Sequence, residues 1–280
     1  STVKWYKDLV LVPYETQPEL WWEKIQLSHA GWYHAKVTKG SVSVDSYSVE
    51  VGVVDPVLSN VTLPHRKKLT LTAKAAGSNL AFQWLKNGNP LNGDIRVTGV
   101  ATRTLVINDL VPPDAAAYSC RVTGPGGTLT TNASIVTVVL PPVVSDFDFD
   151  PAMISAGYDF VPPVLNAATT YTITGLPPGM TYNTRTGRIS GRPTVSGRYT
   201  ITITATNLAG TSTRTKVLNV STLPSGVAGR HIGSVAVASP AAGTFALGGK
   251  WGATVLATGA VTGSVCVGAE VLPFSGAIQV

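Results

Sequence analysis

Asp114-Ala115-Ala116-Ala117-Tyr118-Ser119-Cys120 decides the fold of this chain, because the chain contains a second version of the same stretch. The second version, His29-Ala30-Gly31-Trp32-Tyr33-His34-Ala35, aligns with the first without a gap. Trp84 upstream of the first stretch corresponds to Trp5 upstream of the second, and residues 105–110 correspond to residues 20–25. Self-similarity over a domain length predicts a structural module that occurs twice.

Both copies resemble the intermediate-set immunoglobulin family. The resemblance rests on a tryptophan, then Leu-x-(Ile or Trp), then Asp-Ala-x-x-Tyr-x-Cys in that order within one domain length. In that family the tryptophan fills the centre of a β-sandwich, and the tyrosine ties a corner by hydrogen-bonding back to the backbone. The resemblance therefore implies these core residues: Trp5, Tyr33, Trp84, Tyr118 and Cys120.

The first copy, residues 1–55, is incomplete. The second copy, residues 56–141, has Leu69-Thr70-Leu71-Thr72-Ala73 as strand B, whereas the first copy contains only counterparts of strands C to G. Without strands A and B it would leave an apolar face uncovered, at a cost on the order of 10 kcal/mol. We expect these strands to come from a longer polypeptide or from another subunit.

The cysteine pattern excludes the inter-sheet disulfide of the family. Ala73 and Ala35 occupy cysteine positions, and the chain has only Cys120 and Cys266, which fall in different modules. Two unpaired cysteines favour folding in a reducing compartment. We expect Cys120 to be a buried apolar thiol rather than a nucleophile. Arg96 and Asp114 resemble the ion pair that the family has at the base of the sandwich.

Residues 142–221 form a third predicted module. The segment runs from Gly175-Leu176-Pro177-Pro178-Gly179 to a strand of alternating threonine and apolar residues at 199–206. It resembles the Putative-Ig, cadherin-like family of bacterial surface proteins and phage virion proteins. The resemblance implies a spacer or a ligand-display platform without catalytic residues.

The last predicted region, residues 222–280, is rich in glycine, alanine and valine. Short strands are predicted at residues 233–238, 254–257 and 264–267, as in a small β-domain or a docking tail. Charged residues make up only 13% of the chain, which leaves little material for helices. The predicted fold class is all-β, with tandem immunoglobulin-like β-sandwiches followed by this Gly/Ala/Val-rich β segment.

Two groups of residues raise the question of a metal site. Asp146, Asp148 and Asp150 are spaced two apart, which fits either an alternating strand or a cadherin-like interdomain calcium site. His29 and His34 flank Tyr33 at a spacing that is unusual for zinc. We favour the structural interpretation for both groups, and we predict no catalytic, cofactor or metal site.

Trp21 is the one predicted surface contact. Adjacent residues of a strand face opposite ways, so if Trp22 points into the core, Trp21 points outward. A solvent-facing tryptophan is typical of sugar- and partner-binding surfaces.

The sequence suggests a non-enzymatic structural protein of a tailed-phage virion, in a head-decoration, tail or fibre component. Such a protein is assembled in the bacterial cytoplasm beside other virion proteins or copies of itself, and we expect it to adhere weakly, through many copies, to carbohydrate or protein of the host surface. The alternatives are a bacterial cell-surface adhesin and the accessory modules of a carbohydrate-active enzyme. The net charge of +6 is scattered, so no nucleic-acid partner is predicted, and no stretch is apolar enough to predict a membrane span.

Overall fold

The computed structural model of the chain describes residues 1–235, 249–267 and 269–278. In this part of the chain the regular elements are β-strands and two short 3₁₀ turns, Leu27–His29 and Pro112–Asp114. The chain divides into two compact units, residues 1–140 and residues 141–280, which are described separately. No helix among these residues has the length and apolarity needed to cross a membrane.

The first module is one antiparallel sheet. Its strands are β1 Thr2–Lys7, β2 Val10–Leu11, β3 Gly31–Lys39, β4 Val42–Asp45 and β5 Val49–Val51. β3 pairs with β1, β4 and β5, and β2 extends the sheet beyond β1. The strand predicted at residues 20–25 is not formed. In an immunoglobulin sandwich that strand belongs to the sheet of strands A and B, and residues 1–51 have no counterpart of either.

The second module is a two-sheet sandwich. Its strands are β6 Val53–Asp55, β7 Val61–Pro64, β8 Leu69–Thr72, β9 Lys74–Ala76, β10 Ala81–Lys86, β11 Asn89–Pro90, β12 Val97–Thr98, β13 Thr104–Ile107, β14 Ala116–Gly124, β15 Gly127–Thr130 and β16 Ser134–Val139. One sheet has the order β11-β10-β14-β16-β7, with β15 on β14; the other has the order β12-β13-β8. A short ladder pairs β6 with β9.

The core of this sandwich follows from strand alternation. On β8, Leu69 and Leu71 are buried and the two threonines are exposed, as expected when alternate side chains point to opposite faces of a sheet. Trp84 lies in the same buried cluster with none of its surface exposed, and its Nε1 donates to the carbonyl oxygen of Thr102 at 2.9 Å. Ala73 and Cys120 belong to this cluster too, so small apolar side chains fill the place of a disulfide.

A polar corner fixes one end of the second module. The Tyr118 hydroxyl donates to the carbonyl oxygen of Asp114 at 2.9 Å, and the Asp114 carboxylate accepts from the backbone N–H of Val111 at 2.9 Å and from Arg96 at 3.0 Å. Burial alone would raise the pKa of Asp114, but the bonds from Arg96 and Val111 outweigh it and hold that pKa below its ordinary value. The ionised carboxylate is therefore the form that stabilises the fold.

The third module, in the second unit, is also a β-sandwich. Its strands are β17 Val143–Val144, β18 Ala152–Met153, β19 Tyr158–Phe160, β20 Val164–Leu165, β21 Thr170–Thr174, β22 Met180–Tyr182, β23 Ile189–Gly191, β24 Gly197–Asn207 and β25 Gly210–Ser221. The sheets have the orders β18-β25-β24-β21 and β19-β23-β22, with a β17-β20 ladder beside them. Gly187 and Gly191 have φ of +72° and +138°, and a Cβ atom at either position would collide with its neighbours.

An antiparallel meander follows in the same unit. It consists of β26 Gly229–Val235, β27 Gly249–Val255, β28 Ala260–Val267 and β29 Glu270–Ala277. The predicted strand at 264–267 lies within β28, whereas β27 ends before the predicted strand at 254–257 does; part of the predicted strand at 233–238 lies outside the described residues. Val255 joins the buried cluster of the third module, and Ser155 Oγ donates to the Thr258 carbonyl oxygen at 2.9 Å.

Replacing each of the two core tryptophans with alanine should lower the free energy of unfolding of the two modules by different amounts. Trp84→Ala should destabilise the second module by about 3–5 kcal/mol, because it empties a fully enclosed site. Trp5→Ala should cost the first module less, about 2 kcal/mol, because part of the Trp5 side chain stays exposed to solvent. Amide hydrogen exchange in β10 and in β1, measured on each variant, reports the two free energies of unfolding. Equal losses would contradict the difference in burial.

Acid should weaken the second module through Asp114. Because the folded-state pKa of Asp114 is lowered, its contribution is present above the unfolded-state value of about 3.9 and is lost as pH falls through the folded-state pKa. Asp114→Asn should lower the free energy of unfolding at neutral pH and flatten its fall below about pH 4. Chemical denaturation across this pH range, with Asp55→Asn as the control for a more exposed carboxylate, measures the effect.

Candidate interaction surface

The sheet of the first module has two chemically different faces. Cross-strand register places most of the apolar side chains on one of them, which we call the apolar face. They include Val3, Trp5, Tyr33, Val37, Val44 and Val49. Lys4, Tyr6, His34 and Lys36 lie on the opposite face by the same alternation. Val44 and Val49 are each 64% exposed, so the apolar face is partly open to solvent.

A loop over residues 12–30 covers the middle of the apolar face. The Trp22 ring stacks on His29 at 5.3 Å and meets the Tyr33 ring edge-on at 5.4 Å. The Tyr33 hydroxyl donates to the His29 carbonyl oxygen at 2.8 Å, and Trp5 Nε1 donates to the Gln17 carbonyl oxygen at 2.9 Å. Tyr33 is therefore buried, whereas Trp5 is half-buried rather than enclosed, since one loop replaces a whole sheet.

Trp21 projects from this loop with 73% of its surface exposed. Trp22 is half-buried beside it. The two residues lie in an irregular loop and not on the strand from which their opposite orientation was predicted, so the contact role of Trp21 stays a prediction. Tyr14, in the same loop, is almost fully exposed as well. Exposed aromatic rings on a sandwich loop can make apolar contact with a protein or a sugar while keeping a polar edge in water.

The aspartates at 146, 148 and 150 do not converge on a cation site. Asp146 accepts from Lys216 at 2.8 Å and from Arg214 at 3.2 Å, and Asp148 lies 3.2 Å from Lys216. The hydrogen bond from Lys216 holds the pKa of Asp146 below its ordinary value. Phe147 and Phe149 pack with Phe160 at ring distances of 5.1 and 4.9 Å. The alternating segment thus packs Phe147 and Phe149 against Phe160, and it directs Asp146 and Asp148 toward Lys216.

The two histidines of the first module stack on different aromatic rings and do not face each other. His34 stacks on Tyr6 at 5.0 Å on the face opposite the apolar face, while His29 stacks on Trp22 in the loop. Within the described residues, no group of three histidine, cysteine, aspartate or glutamate side chains is arranged to hold a metal ion.

A polar groove of the third module has its charges already paired. The groove, about 600 Å³ in volume, is lined by Tyr158, Tyr182, Asp159 and Arg188 among others. Arg188 donates from Nε to Asp159 at 2.6 Å and forms a second, shorter bond to the same carboxylate. A charged ligand in this groove would have to compete with that pair.

The family comparisons match the two sandwiches. Residues 52–138 match the model described as "Immunoglobulin I-set domain", and residues 141–221 match the model described as "Putative Ig domain". The chain contains tandem immunoglobulin-like domains. Solved structures that are similar to the chain include the following two. The extracellular domains 3–5 of Drosophila OTK have 17% identity and a TM-score of 0.43, covering 79% of this chain and 85% of that one. The I67–I69 fragment of titin has 12% identity and a TM-score of 0.42, covering 78% and 87%.

The immunoglobulin-like chain also has curated relatives. A "Serine-rich adhesin for platelets" of Staphylococcus aureus strain MSSA476 is 28% identical over 203 residues, which cover 68% of this chain and 8% of the adhesin. The adhesin of the same name from strain MRSA252 is 27% identical over 203 residues, covering 68% of this chain and 14% of that protein. The chain therefore spans a small fraction of the length of these relatives.

The two cysteines should differ sharply in reactivity. Burial raises the pKa of the Cys120 thiol to about 11, and none of its surface is exposed, whereas Cys266 is partly exposed. Since the thiolate is the reactive form, iodoacetamide at neutral pH should label Cys266 and leave Cys120 unmodified until the second module unfolds. Mass spectrometry of labelled peptides measures this, with labelling in concentrated guanidinium as the control. Labelling of Cys120 in the native protein would contradict its enclosure.

Proposed function

We propose that this chain is a section of a larger bacterial surface adhesin, in which rigid immunoglobulin-like domains present a contact loop to a host surface. The supporting observation is the similarity to the staphylococcal adhesins across about two thirds of the chain. The matched families and these relatives support a non-enzymatic role. Binding, rather than catalysis, is also the activity that an exposed aromatic loop on a sandwich can perform.

The first two modules are joined in a way that suits presentation of the loop. β5 ends at Val51 and β6 begins at Val53, so only Gly52 separates them. The Glu50 carboxylate accepts from the Ser78 hydroxyl at 2.7 Å and also from the Ser78 backbone N–H. A connection this short has little conformational freedom to lose when the loop binds, which lowers the entropic cost of association.

Trp21 is the residue we assign to the contact. Tryptophan is enriched among the residues that dominate binding energies, and this one is exposed while its neighbour anchors the loop. A single contact of this kind gives weak binding. Many copies on one surface would convert it into firm adhesion without new contacts.

The virion hypothesis stays a prediction. The curated relatives named above are described as adhesins, which favours the bacterial surface over the phage particle. Assembly with copies of the same chain, or with other virion proteins, likewise stays a prediction. The accessory-module hypothesis requires a catalytic domain outside this chain, and the relatives give it no support.

Beads coated with the chain test the proposal on immobilised platelets and, in parallel, on immobilised bacterial cells. Wild-type beads should be retained on platelets, and Trp21→Ala should lower monovalent affinity about 10- to 30-fold by removing a central aromatic contact. Ile95→Ala is the matched control, because Ile95 is even more exposed, at 96% against 73% for Trp21, but lies on the second module. Retention on bacterial cells alone would favour the virion hypothesis, and equal losses in both variants would remove Trp21 from its role.

A further inference from the structure

The dipeptide Asn-Gly occurs twice in the chain, at Asn87-Gly88 and at Asn92-Gly93, and both copies lie in the second module. A glycine has no side chain to shield its backbone nitrogen. That nitrogen can attack the side-chain carbonyl carbon of the preceding asparagine wherever the two atoms can approach each other. Both asparagines are exposed, so access to solvent does not distinguish them. The local structure around each copy decides which of them can react.

The first copy is locked in a tight hairpin between β10 and β11. Asn87 and Gly88 have φ of +50° and +81°, as in the two-residue turns for which Asn-Gly is favoured. The Asn87 side-chain oxygen accepts from the backbone N–H of Ala117 at 3.0 Å. The Asn87 backbone N–H donates to the carbonyl oxygen of the same residue at 2.8 Å. Rotation of the Asn87 side chain toward the Gly88 nitrogen therefore costs a hydrogen bond to β14.

The second copy has no such lock. Asn92 and Gly93 lie in the irregular segment between β11 and β12, and neither has a positive φ. Within the described part of the chain, no hydrogen bond is found for the Asn92 side chain or for the Gly93 backbone N–H. The attacking nitrogen and the carbon that it attacks are therefore both free of competing partners.

The segment is nevertheless anchored on both sides of this pair. The backbone N–H of Leu91 donates to the carbonyl oxygen of Trp84, and that of Asp94 donates to the carbonyl oxygen of Val97, each at 2.9 Å. The Asp94 carboxylate also accepts from the backbone N–H groups of Arg96 and Val97, each at 2.7 Å. The rotation that the reaction needs is thus confined to the two residues between these anchors. The core of the module need not open for it.

We propose that Asn92 is a site of spontaneous deamidation in the folded protein and that the fold protects Asn87 from the same reaction. The Gly93 nitrogen forms a bond to Cγ of Asn92, and the bond from Cγ to Nδ2 breaks. Nδ2 leaves as ammonia and takes with it the proton that the Gly93 nitrogen loses. Water then opens the cyclic imide at either of its two carbonyl groups, which gives aspartate or isoaspartate. Water is the only co-reactant.

The reaction changes the surface of the second module. It lowers the formal net charge of +6 by one unit, and it places a second carboxylate close to Asp94. Ile95, the next residue, is 96% exposed, so the apolar side chain at the tip of this segment gains an acidic neighbour. Isoaspartate also lengthens the backbone at position 92, because the chain then runs through the former side chain. The surface therefore changes with the age of the protein, while the buried residues stay the same.

The test follows both asparagines in the folded full chain, incubated at mildly alkaline pH in heavy-oxygen water. Label is incorporated only into product that forms during the incubation, so peptide mass spectrometry separates it from earlier damage. Labelled product should form at Asn92 at least about tenfold faster than at Asn87, since the hydrogen bond that Asn87 must give up accounts for a factor of that order. Equal rates, or faster reaction at Asn87, would overturn the proposal.

Denaturation provides the control for the influence of the fold. In concentrated guanidinium the hairpin and its bonds to Ala117 are absent, so the two asparagines should react at similar rates. A preference for Asn92 that persists in the unfolded chain would show that the neighbouring sequence, and not the structure, selects the site. Amide exchange in β10, measured on the incubated protein, should stay slow, because the reaction takes place in the folded module. Loss of this protection before product appears would contradict the proposal.

The products and one variant test the chemical route. Attack by the Gly93 nitrogen gives both aspartate and isoaspartate, whereas direct hydrolysis of the amide gives aspartate alone, and that result would overturn the route. The rate should rise with pH, because the attacking nitrogen must lose its proton. Gly93→Ala should slow the reaction at Asn92 and leave Asn87 unaffected. The added Cβ atom shields the nitrogen and would lie 3.1 Å from the carbonyl oxygen of Val97. An unchanged rate in this variant would contradict attack by that nitrogen.

Discussion

A β-sheet with one apolar face requires a second layer, and every module of this chain can be understood by what supplies that layer. In the second module the layer is another sheet, and the tryptophan between the two sheets is completely enclosed. In the third module a second sheet again closes the core over Ile189, Ile201 and Ile203. In the first module a loop stands in for the sheet, and the enclosure is incomplete.

Without disulfides, polar corners hold the ends of these modules. Tyr33, Tyr118 and Tyr199 each donate to the carbonyl oxygen four residues earlier, at 2.8, 2.9 and 3.0 Å. For the buried Tyr118 this bond satisfies the hydroxyl and a backbone acceptor together, which matters more than its modest net energy. In the second module Arg96 adds a charged bond to the same corner. The first module has His29 in place of Asp114, so its corner relies on the tyrosine and on stacking against Trp22.

The sequence allowed the all-β fold class and the tandem immunoglobulin-like domains to be predicted, because aromatic landmarks and strand alternation are local signals. The state of residues 20–25 could not be predicted in the same way. Their sequence matches a strand, but a strand forms only where a partner offers hydrogen bonds, and no described strand pairs with residues 20–25. The same limit applies to Trp21, whose exposure was predicted from a strand that does not exist. The pairing of Asp146 with Lys216 depends on side chains that are far apart in sequence, so spacing alone left the calcium alternative open.

The meander of β26 to β29 shows how a single sheet can be stabilised by other means. Its register places Trp251 beside Gly233 and Phe274 beside Gly263, and each aromatic ring fills the space that a Cβ atom of the glycine would occupy. At one end, Val255 and Val261 pack against the buried cluster of the third module. In this sheet, aromatic side chains therefore pack over glycines of the neighbouring strands, and one end of the sheet packs against the core of the third module. The first module has neither device on its apolar face: its strands carry valines where the meander carries rings over glycines. A face of that composition would be stabilised most by a complementary sheet.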